Sequence, residues 1–253
     1  MNRYDAHSRS VSRGFASGML IVVLLFLATA GGVAWVSLGI VANDRWPIRW
    51  LEVNGSFQRV SAEQLRASLL PLIDASFFTI DLQQLRDAAR RNAWVSDVRV
   101  QKAWPDTVRV TVKEFEPLAH WNRGQLISRQ GEAFAVPEAD GIQGLPWLEG
   151  PEGRLDDVLS AWSDFSERLL SLDLEIRNLT LDRRGAWSMV LNNGTRVRLG
   201  RDATGERFRR FLLSWDLLAG SRDTPPQDID MRYTNGLAVV WPQHLEKERG
   251  ADS

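Results

Sequence analysis

The sequence predicts an α+β protein in three parts: a single N-terminal transmembrane helix, a small β-α-α-β-β domain, and a larger mixed β-sheet domain with helices. Three observations carry this reading. Residues Gly14 to Asn43 hold no charged side chain; two short amphipathic helices then precede two strands of alternating valines; beyond Pro117 strand patterns dominate, interrupted by two helices with one apolar face each. The expected boundaries are 1–14 for a cytoplasmic tail, 15–42 for the membrane helix, 48–116 and 117–242 for the folded domains, and 243–253 for a disordered tail.

The first element rests on the run Met19-Leu20-Ile21-Val22-Val23-Leu24-Leu25-Phe26-Leu27. About 20 apolar residues rising ~1.5 Å each cross a hydrocarbon core of ~30 Å. A core helix of a soluble protein would carry a polar stripe, and this segment carries none. Arg3, Arg9 and Arg13 stand ahead of it against a lone Asp5, whereas Asn43, Asp44 and Arg45 follow. The arginine excess predicts an N-terminus in the cytoplasm and an exported remainder. A cleaved signal peptide is the alternative, because Ala28-Thr29-Ala30 resembles a small-residue cleavage site. Apolar residues continue to Val41, which favours an anchor, and Trp35 and Trp46 fit the outer interface.

Composition narrows the rest. The formal net charge is -1, charged residues make up 25% and hydrophobic residues 44%, a globular balance with no footprint for nucleic acid. With no cysteine in the chain, a disulfide framework, a thiolate metal site and a cysteine nucleophile are all excluded.

From Ile48 to Glu116 the pattern reads strand, helix, helix, strand, strand. Trp50, Glu52 and Asn54 alternate with Leu51 and Val53 before Gly55. Ser61-Ala62-Glu63-Gln64 has capping-box spacing, and Leu65, Leu69 and Leu72 follow at helical intervals. Asp81 with Gln84 repeats the start signal ahead of Leu82, Leu85 and Ala89. Val95, Val98 and Val100, then Val108, Val110 and Val112, supply the strands those helices need, with Trp104-Pro105-Asp106-Thr107 as the turn. A three-stranded sheet with two helices on one face is expected.

Past Pro117, turns are expected at Asn122-Arg123-Gly124, Asp182-Arg183-Arg184-Gly185 and Asn192-Asn193-Gly194, and Pro137 to Gly153 reads as a Gly/Pro-rich loop. Helices span roughly Asp156 to Ser171 and Ala203 to Ala219. Strands fall at Ile176–Leu181, Trp187–Leu191, Arg196–Leu199, Ile229–Tyr233 and Leu237–Trp241, and Thr234-Asn235-Gly236 closes a hairpin between the last two.

No catalytic constellation emerges. His7, His120 and His244 have no ligand spacing, and no nucleophile-elbow, zincin, P-loop or dinucleotide motif is present, so no metal and no cofactor are expected. Glu114 and Glu116, and Asp156 and Asp157, read as solvated carboxylates rather than an acid pair. Trp94, Trp104, Trp162, Trp187 and Trp215 sit where a core face or a turn takes them. Trp241 ends the last strand instead. Leu237-Ala238-Val239-Val240-Trp241 is apolar and lacks charge or internal proline, which makes it hazardous as a bare sheet edge. Either the chain's own strands cover it, or a partner's extended segment adds to it, with Tyr233 and Trp241 as anchors.

The order of local motifs adds a further reading. Val53-Asn54-Gly55, Phe77-Phe78-Thr79-Ile80-Asp81-Leu82, Trp94-Val95, Val98-Arg99-Val100, Trp104-Pro105-Asp106 and Glu114 with Pro117, behind an N-in anchor, resemble the FtsQ/DivIB family of division proteins. Leu145-Pro146-Trp147-Leu148, Gly150-Pro151-Glu152-Gly153, Trp187, Leu199-Gly200-Arg201, Arg210-Phe211 and Asp230-Met231-Arg232-Tyr233 through Trp241 resemble that family's second domain in the same order. One departure is Ala93, where relatives often carry proline. The resemblance implies a POTRA domain followed by a β-domain, held in the cell inner membrane with the folded part periplasmic and concentrated at the division septum. It implies a non-enzymatic scaffold that binds FtsB and FtsL, with the FtsB strand paired to the last β-strand. The matching positions are Arg232, Tyr233, Asn235, Gly236 and Trp241, while Arg183 and Arg184 both match a basic turn that meets acidic partner residues. A POTRA-bearing chaperone or secretion component is the rival reading, and an anchored cell-wall hydrolase would need a site the sequence does not display.

Overall fold

The computed structural model describes residues 13–41, 46–202, 204–222 and 224–242. The expected roles of Arg3, Asp5, Arg9, the Asn43-Asp44-Arg45 flank, His7, His244 and the tail after Pro242 lie outside those residues or their described side chains. The chain divides into two compact units, Met1–Glu114 and Phe115–Ser253.

The first unit opens with α1, Arg13–Val41, a helix of 29 residues. Its stretch Met19–Leu38 is long and apolar enough to cross a membrane, and none of it is buried against protein. The hydroxyl of Thr29 donates to the carbonyls of Phe26 and Leu25, both at 2.9 Å, so this polar side chain is satisfied inside the helix.

Five elements follow: β1 (Trp50–Gly55), α2 (Ala62–Leu69), α3 (Leu82–Arg90), β2 (Val95–Ala103) and β3 (Thr107–Glu114). The helices start where the sequence expects. Ser61 Oγ accepts the Gln64 N–H at 3.3 Å, and Asp81 Oδ1 accepts those of Gln83 and Gln84 at 2.8 and 3.2 Å. The sheet order is β1-β3-β2, with β1 parallel and β2 antiparallel to β3. Leu69, Leu85, Val108 and Val110 are fully buried, each contributing roughly 1.5–3 kcal/mol of transfer free energy. Gly55 is fixed by its neighbour across the sheet, since a Cβ there would lie 2.7 Å from the Val112 carbonyl oxygen.

One expectation fails in this unit. Glu114 is not a solvated carboxylate: it is half-buried and accepts the backbone N–H groups of Gln58, Arg59 and Val60 at 3.1–3.3 Å. Three successive amides of one loop converge on a single side chain 54 to 56 residues away, a contact no local pattern announces. Glu116 does stay exposed, paired with Arg129 at 3.3 Å.

The second unit carries β4 (Pro117–Trp121), β5 (Gln125–Ser128), β6 (Ala133–Ala135), β7 (Trp147–Glu149), α4 (Leu155–Leu169), β8 (Ile176–Leu181), β9 (Trp187–Leu191), β10 (Arg196–Gly200), α5 (Thr204–Ala219), β11 (Asp228–Asp230) and β12 (Ala238–Val240). They form one nine-stranded sheet in the order β12-β11-β10-β9-β8-β7-β4-β5-β6. Hairpin neighbours run antiparallel. α4 and α5 each join a parallel pair, β7 to β8 and β10 to β11, as a crossover between parallel neighbours requires. Val158, Phe165 and Leu169 of α4, with Phe208, Phe211 and Trp215 of α5, share one core with Leu148, Leu179, Met189, Leu191, Val197, Leu199 and Ile229.

The α+β class predicted from the sequence is the one observed, with two local corrections. The stretch Pro137–Gly153 is not all loop. Trp147–Glu149 is a central strand between β4 and β8, with Leu148 fully buried. Three residues flanked by proline and glycine give no periodicity to read, and the parallel neighbours supply the pairing instead. The last two strands are also shorter than expected, and Asn235-Gly236 does not form a tight hairpin: Met231 to Leu237 bridges β11 and β12. Two arginines of α5 hold that longer connection.

A candidate partner-binding edge

β12 is the terminal strand of the nine-stranded sheet, antiparallel to β11 through Ala238↔Asp230, Val239↔Ile229 and Val240↔Asp228. Among the described residues no strand pairs with its outer side. Its side chains are sparsely covered: Ala238 and Val240 are exposed, the latter at 54%, and only Val239 leans on the core. The exposed edge of backbone groups is flanked by apolar side chains and unguarded by charge within the strand itself.

The connection from β11 is shaped by guanidinium groups. Arg210 Nη1 donates to the Thr234 carbonyl at 2.7 Å, and its Nη2 donates to Tyr233 and Met231 at 3.0 and 3.3 Å. One turn earlier, Arg207 donates to the carbonyls of Leu199 at 2.8 Å and Arg232 at 3.2 Å. The carbonyls of four consecutive residues, Met231 to Thr234, thus end on two planar donors from one helix, which satisfies them without a ladder. Gly200 makes the approach possible. It has a φ of +76°, and a Cβ there would meet Arg207 Nη1 at 2.8 Å and Arg232 Cγ at 3.0 Å.

Arg232 folds back on Asp230, with Nη2 to Oδ2 at 2.6 Å and Nε to Oδ1 at 2.9 Å. The hydrogen bond from Arg232 holds the Asp230 carboxyl below its ordinary value against the opposing effect of burial, and Asp230 in turn raises Arg232. Next along the same face, Arg198 pairs with Asp228 at 2.8 Å. Asp230, Arg198 and Asp228 line a groove of about 500 Å³ across β10, β11 and β12, bordered by Gly194, Arg196, Gln227, Ala238 and Val240.

The two aromatic candidates bracket the edge. Tyr233, 58% exposed, lies in the connection that leads to Ala238, and Trp241 follows Val240 at the other end. Trp241 is half-buried, with the Arg222 guanidinium 4.7 Å above its ring. Asn235 is exposed, and Gly236 has open space around its Cα. Arg183 and Arg184 sit exposed in the β8–β9 turn, where Asp182 Oδ1 accepts the Arg184 N–H at 2.8 Å. That turn shares an end of the sheet with the β11–β12 connection, because Trp187 pairs with Gly200, which abuts Arg232. The two are separated across β9, β10 and β11, two strand spacings or about 10 Å.

Sequence reasoning missed Arg207, Arg198 and Asp228 as parts of this site and noted Arg210 and Asp230 only as family landmarks. The partners of Arg207, Arg210, Arg198 and Asp228 are backbone carbonyls or cross-strand neighbours, so spacing along the chain carries no sign of them. His120, the one histidine whose side chain is described, is buried instead: it stacks on Trp147 at 4.0 Å, with Nε2 2.9 Å from the Ile142 carbonyl.

Comparison with known proteins places the chain in a family. Residues 46–115 match the family described as POTRA domain, FtsQ-type, and residues 119–232 match Cell division protein FtsQ/DivIB, C-terminal. The cell division protein FtsQ of Coxiella burnetii is 32% identical over 246 residues, covering 95% of this chain and 99% of the relative. The chain belongs to the FtsQ/DivIB family of cell division proteins. The FtsQ of Xanthomonas campestris pv. campestris is 36% identical over 85% of this chain and 80% of the relative, and that of Vibrio cholerae 33% identical over 94% and 91%. The part of the first unit that follows α1 is accordingly a POTRA domain, and the long apolar α1 supports a single-pass membrane protein. The β-domain match ends at Arg232, so the rest of the β11–β12 connection and β12 itself lie beyond the matched residues.

Proposed function

We propose that this FtsQ-family chain is a non-enzymatic scaffold of the division machinery that binds FtsB and FtsL outside the cytoplasm by adding an FtsB strand to β12. It links early and late division proteins at the septum, with its N-terminus in the cytoplasm. The single observation that carries this reading is the state of β12: a terminal, apolar, largely exposed strand between two aromatic side chains, joined to its sheet on one side only. An incoming extended segment would gain main-chain hydrogen bonds there, while the sides of the strand sort its side chains. The exposed Arg183 and Arg184, with Arg196 bordering the groove, suit a partner segment that carries acidic residues.

Hydrogen–deuterium exchange on the full-length protein in detergent micelles tests this directly. The β12 amides turned away from β11 should exchange rapidly alone and become protected when the FtsB segment is added, while those bonded to β11 serve as the internal reference. Slow exchange in the absence of partner, or no added protection at saturating FtsB, would remove the strand-addition reading.

A further inference from the structure

One end of the POTRA domain gathers aromatic side chains that its core does not take up. Trp50 pairs with Thr107, which pairs with Ala103, so the β2–β3 turn containing Trp104 lies where β1 begins. The Asp106 carbonyl in that turn accepts the N–H of Arg49 at 2.9 Å and of Trp50 at 3.3 Å. The preceding segment joins the same end. Phe77 N–H donates to the Trp46 carbonyl at 2.9 Å, Trp46 meets Phe78 edge-on at 5.4 Å, and Lys102 Nζ donates to the Phe78 carbonyl at 3.0 Å.

These rings are open to solvent: Trp46 is 39% exposed, Phe78 44%, Trp50 63% and Trp104 75%. Large aromatic side chains normally bury 150–250 Å² each (roughly) and dominate a core, yet the valine core of this domain closes without them. Arg49, 70% exposed and 4.0 Å from the Asp106 carboxylate, and Lys102 are the cations beside the rings. Amphipathic rings with adjacent cations are the composition that settles at the headgroup level of a bilayer.

Covalent geometry says which end of the domain can reach one. α1 ends at Val41 and β1 begins at Trp50, so even a fully extended chain of ~3.5 Å per residue holds Trp50 within about 30 Å of the end of α1, and Trp46 within about 17 Å. The far end of β1, at Gly55, lies about 17 Å beyond Trp50 along the strand. The aromatic end is therefore the end tethered nearest the membrane. We propose that Trp46, Trp50, Phe78 and Trp104, with Arg49 and Lys102, form a face that rests on the headgroup layer of the bilayer that α1 enters. It rests on α1 being a membrane span and not on the partner-binding role of β12. Lipid contact would limit how far the domain tilts about its short tether and so fix the direction in which the chain beyond it leaves the membrane.

The chain has no cysteine, so single-cysteine variants carry a nitroxide at one chosen place. The full-length protein would be reconstituted in nanodiscs of phosphatidylethanolamine and phosphatidylglycerol with labels at Trp104→Cys, at Ser56→Cys beside the far end of β1, and at Leu27→Cys in α1. Trp104 is exposed enough to be replaced without loss of core. The Trp104→Cys label should collide severalfold more with lipid-soluble oxygen, relative to a water-soluble nickel chelate, than the Ser56→Cys label does, and the Leu27→Cys label should show the deepest lipid signature. Equal, water-like accessibility at Trp104→Cys and Ser56→Cys with Leu27→Cys in lipid would overturn the docking face while leaving the anchor, and would assign the rings to a protein partner absent from the disc. A water-like Leu27→Cys label would overturn the anchor and this proposal together.

Discussion

The two edges of the nine-stranded sheet begin from the same ingredients and end differently. β6 and β12 are each three residues long, and each meets a proline two residues later, Pro137 and Pro242. Proline therefore does not distinguish them. Burial does. β6 turns Phe134 into the interior, where it is 8% exposed and stacked on Phe115 at 4.2 Å, and Val136 follows it inward. β12 buries no side chain fully, and its anchors are lent by other elements: Arg210 under the connection before it, Arg222 over Trp241 behind it. An edge strand finished by its own side chains is a boundary of the fold, whereas one held in place from outside while its apolar surface stays open is a surface kept available.

The largest expected effect separates the two edges by stability. Phe134→Ala should lower the unfolding free energy of the β-domain by about 3 kcal/mol, the usual cost of deleting a buried ring, read from chemical denaturation of the full-length protein in micelles. Val240→Ala, at 54% exposure, should cost less than about 1 kcal/mol in the same measurement. Comparable costs at both positions would break the contrast, because β12 would then be packed as firmly as β6.

Arg210→Ala comes next, at about 2 kcal/mol for losing charge-assisted bonds to three carbonyls. The local readout is sharper than the global one. Hydrogen exchange should quicken at Tyr233 and Thr234 and on through β12, while β8 and β9 keep their protection. Arg210→Lys should fail to restore it, since a single ammonium lacks the planar fork that serves several acceptors at once. Restoration by lysine would mean that charge alone holds the connection.

Trp241→Ala tests the other end of the strand. It should weaken binding of the FtsB segment by about 2 kcal/mol, roughly thirtyfold, as removal of a central aromatic anchor does. The midpoint of unfolding should move little, because the ring is only half-buried and its contact with Arg222 is near the surface. A large loss of stability with unchanged affinity per folded molecule would make Trp241 part of the fold and leave Tyr233 as the sole aromatic candidate.

How much of this could be read beforehand follows from where each interaction keeps its information. The POTRA helices were legible because Ser61 and Asp81 cap them locally and Leu65, Leu69, Leu85 and Ala89 repeat at helical spacing. Val108, Val110 and Val112 announced β3 by alternation alone. β7 was not legible, since Trp147–Glu149 becomes a strand only through β4 and β8 on either side. At the candidate edge, Tyr233 and Trp241 stood out as aromatic residues around an apolar strand. Arg207 and Arg210 did not, because their acceptors are carbonyls 8 to 25 residues away with no side-chain signature. Glu114 misled for the same reason.

The smallest effect concerns acid, and it sets the two ends of the connection against each other. Asp230 has a lowered value in the folded protein because Arg232 donates to it, so the pair contributes stability that is present above the ordinary aspartate value of 3.8 and is lost as pH falls through the lowered folded value. Between neutrality and pH 5 (roughly the upper limit of that window) the connection should therefore be unchanged. Below it, protonation releases Arg232, which is 57% exposed, and solvent screening keeps the effect of losing the pair small. Among the described residues Arg210 has no carboxylate partner, and the carbonyls it binds do not titrate. Acid should loosen Arg232 first and leave Tyr233 and Thr234 tied to α5. Amide chemical shifts followed from pH 7 to 3 (about the span of the titration) should then show Arg232 moving with Asp230 while Tyr233 and Thr234 stay in place, and Asp230→Asn should abolish the movement. Concerted shifts across residues 231–234 would mean that the connection opens as one piece and that the Arg210 clamp depends on the Asp230 pair.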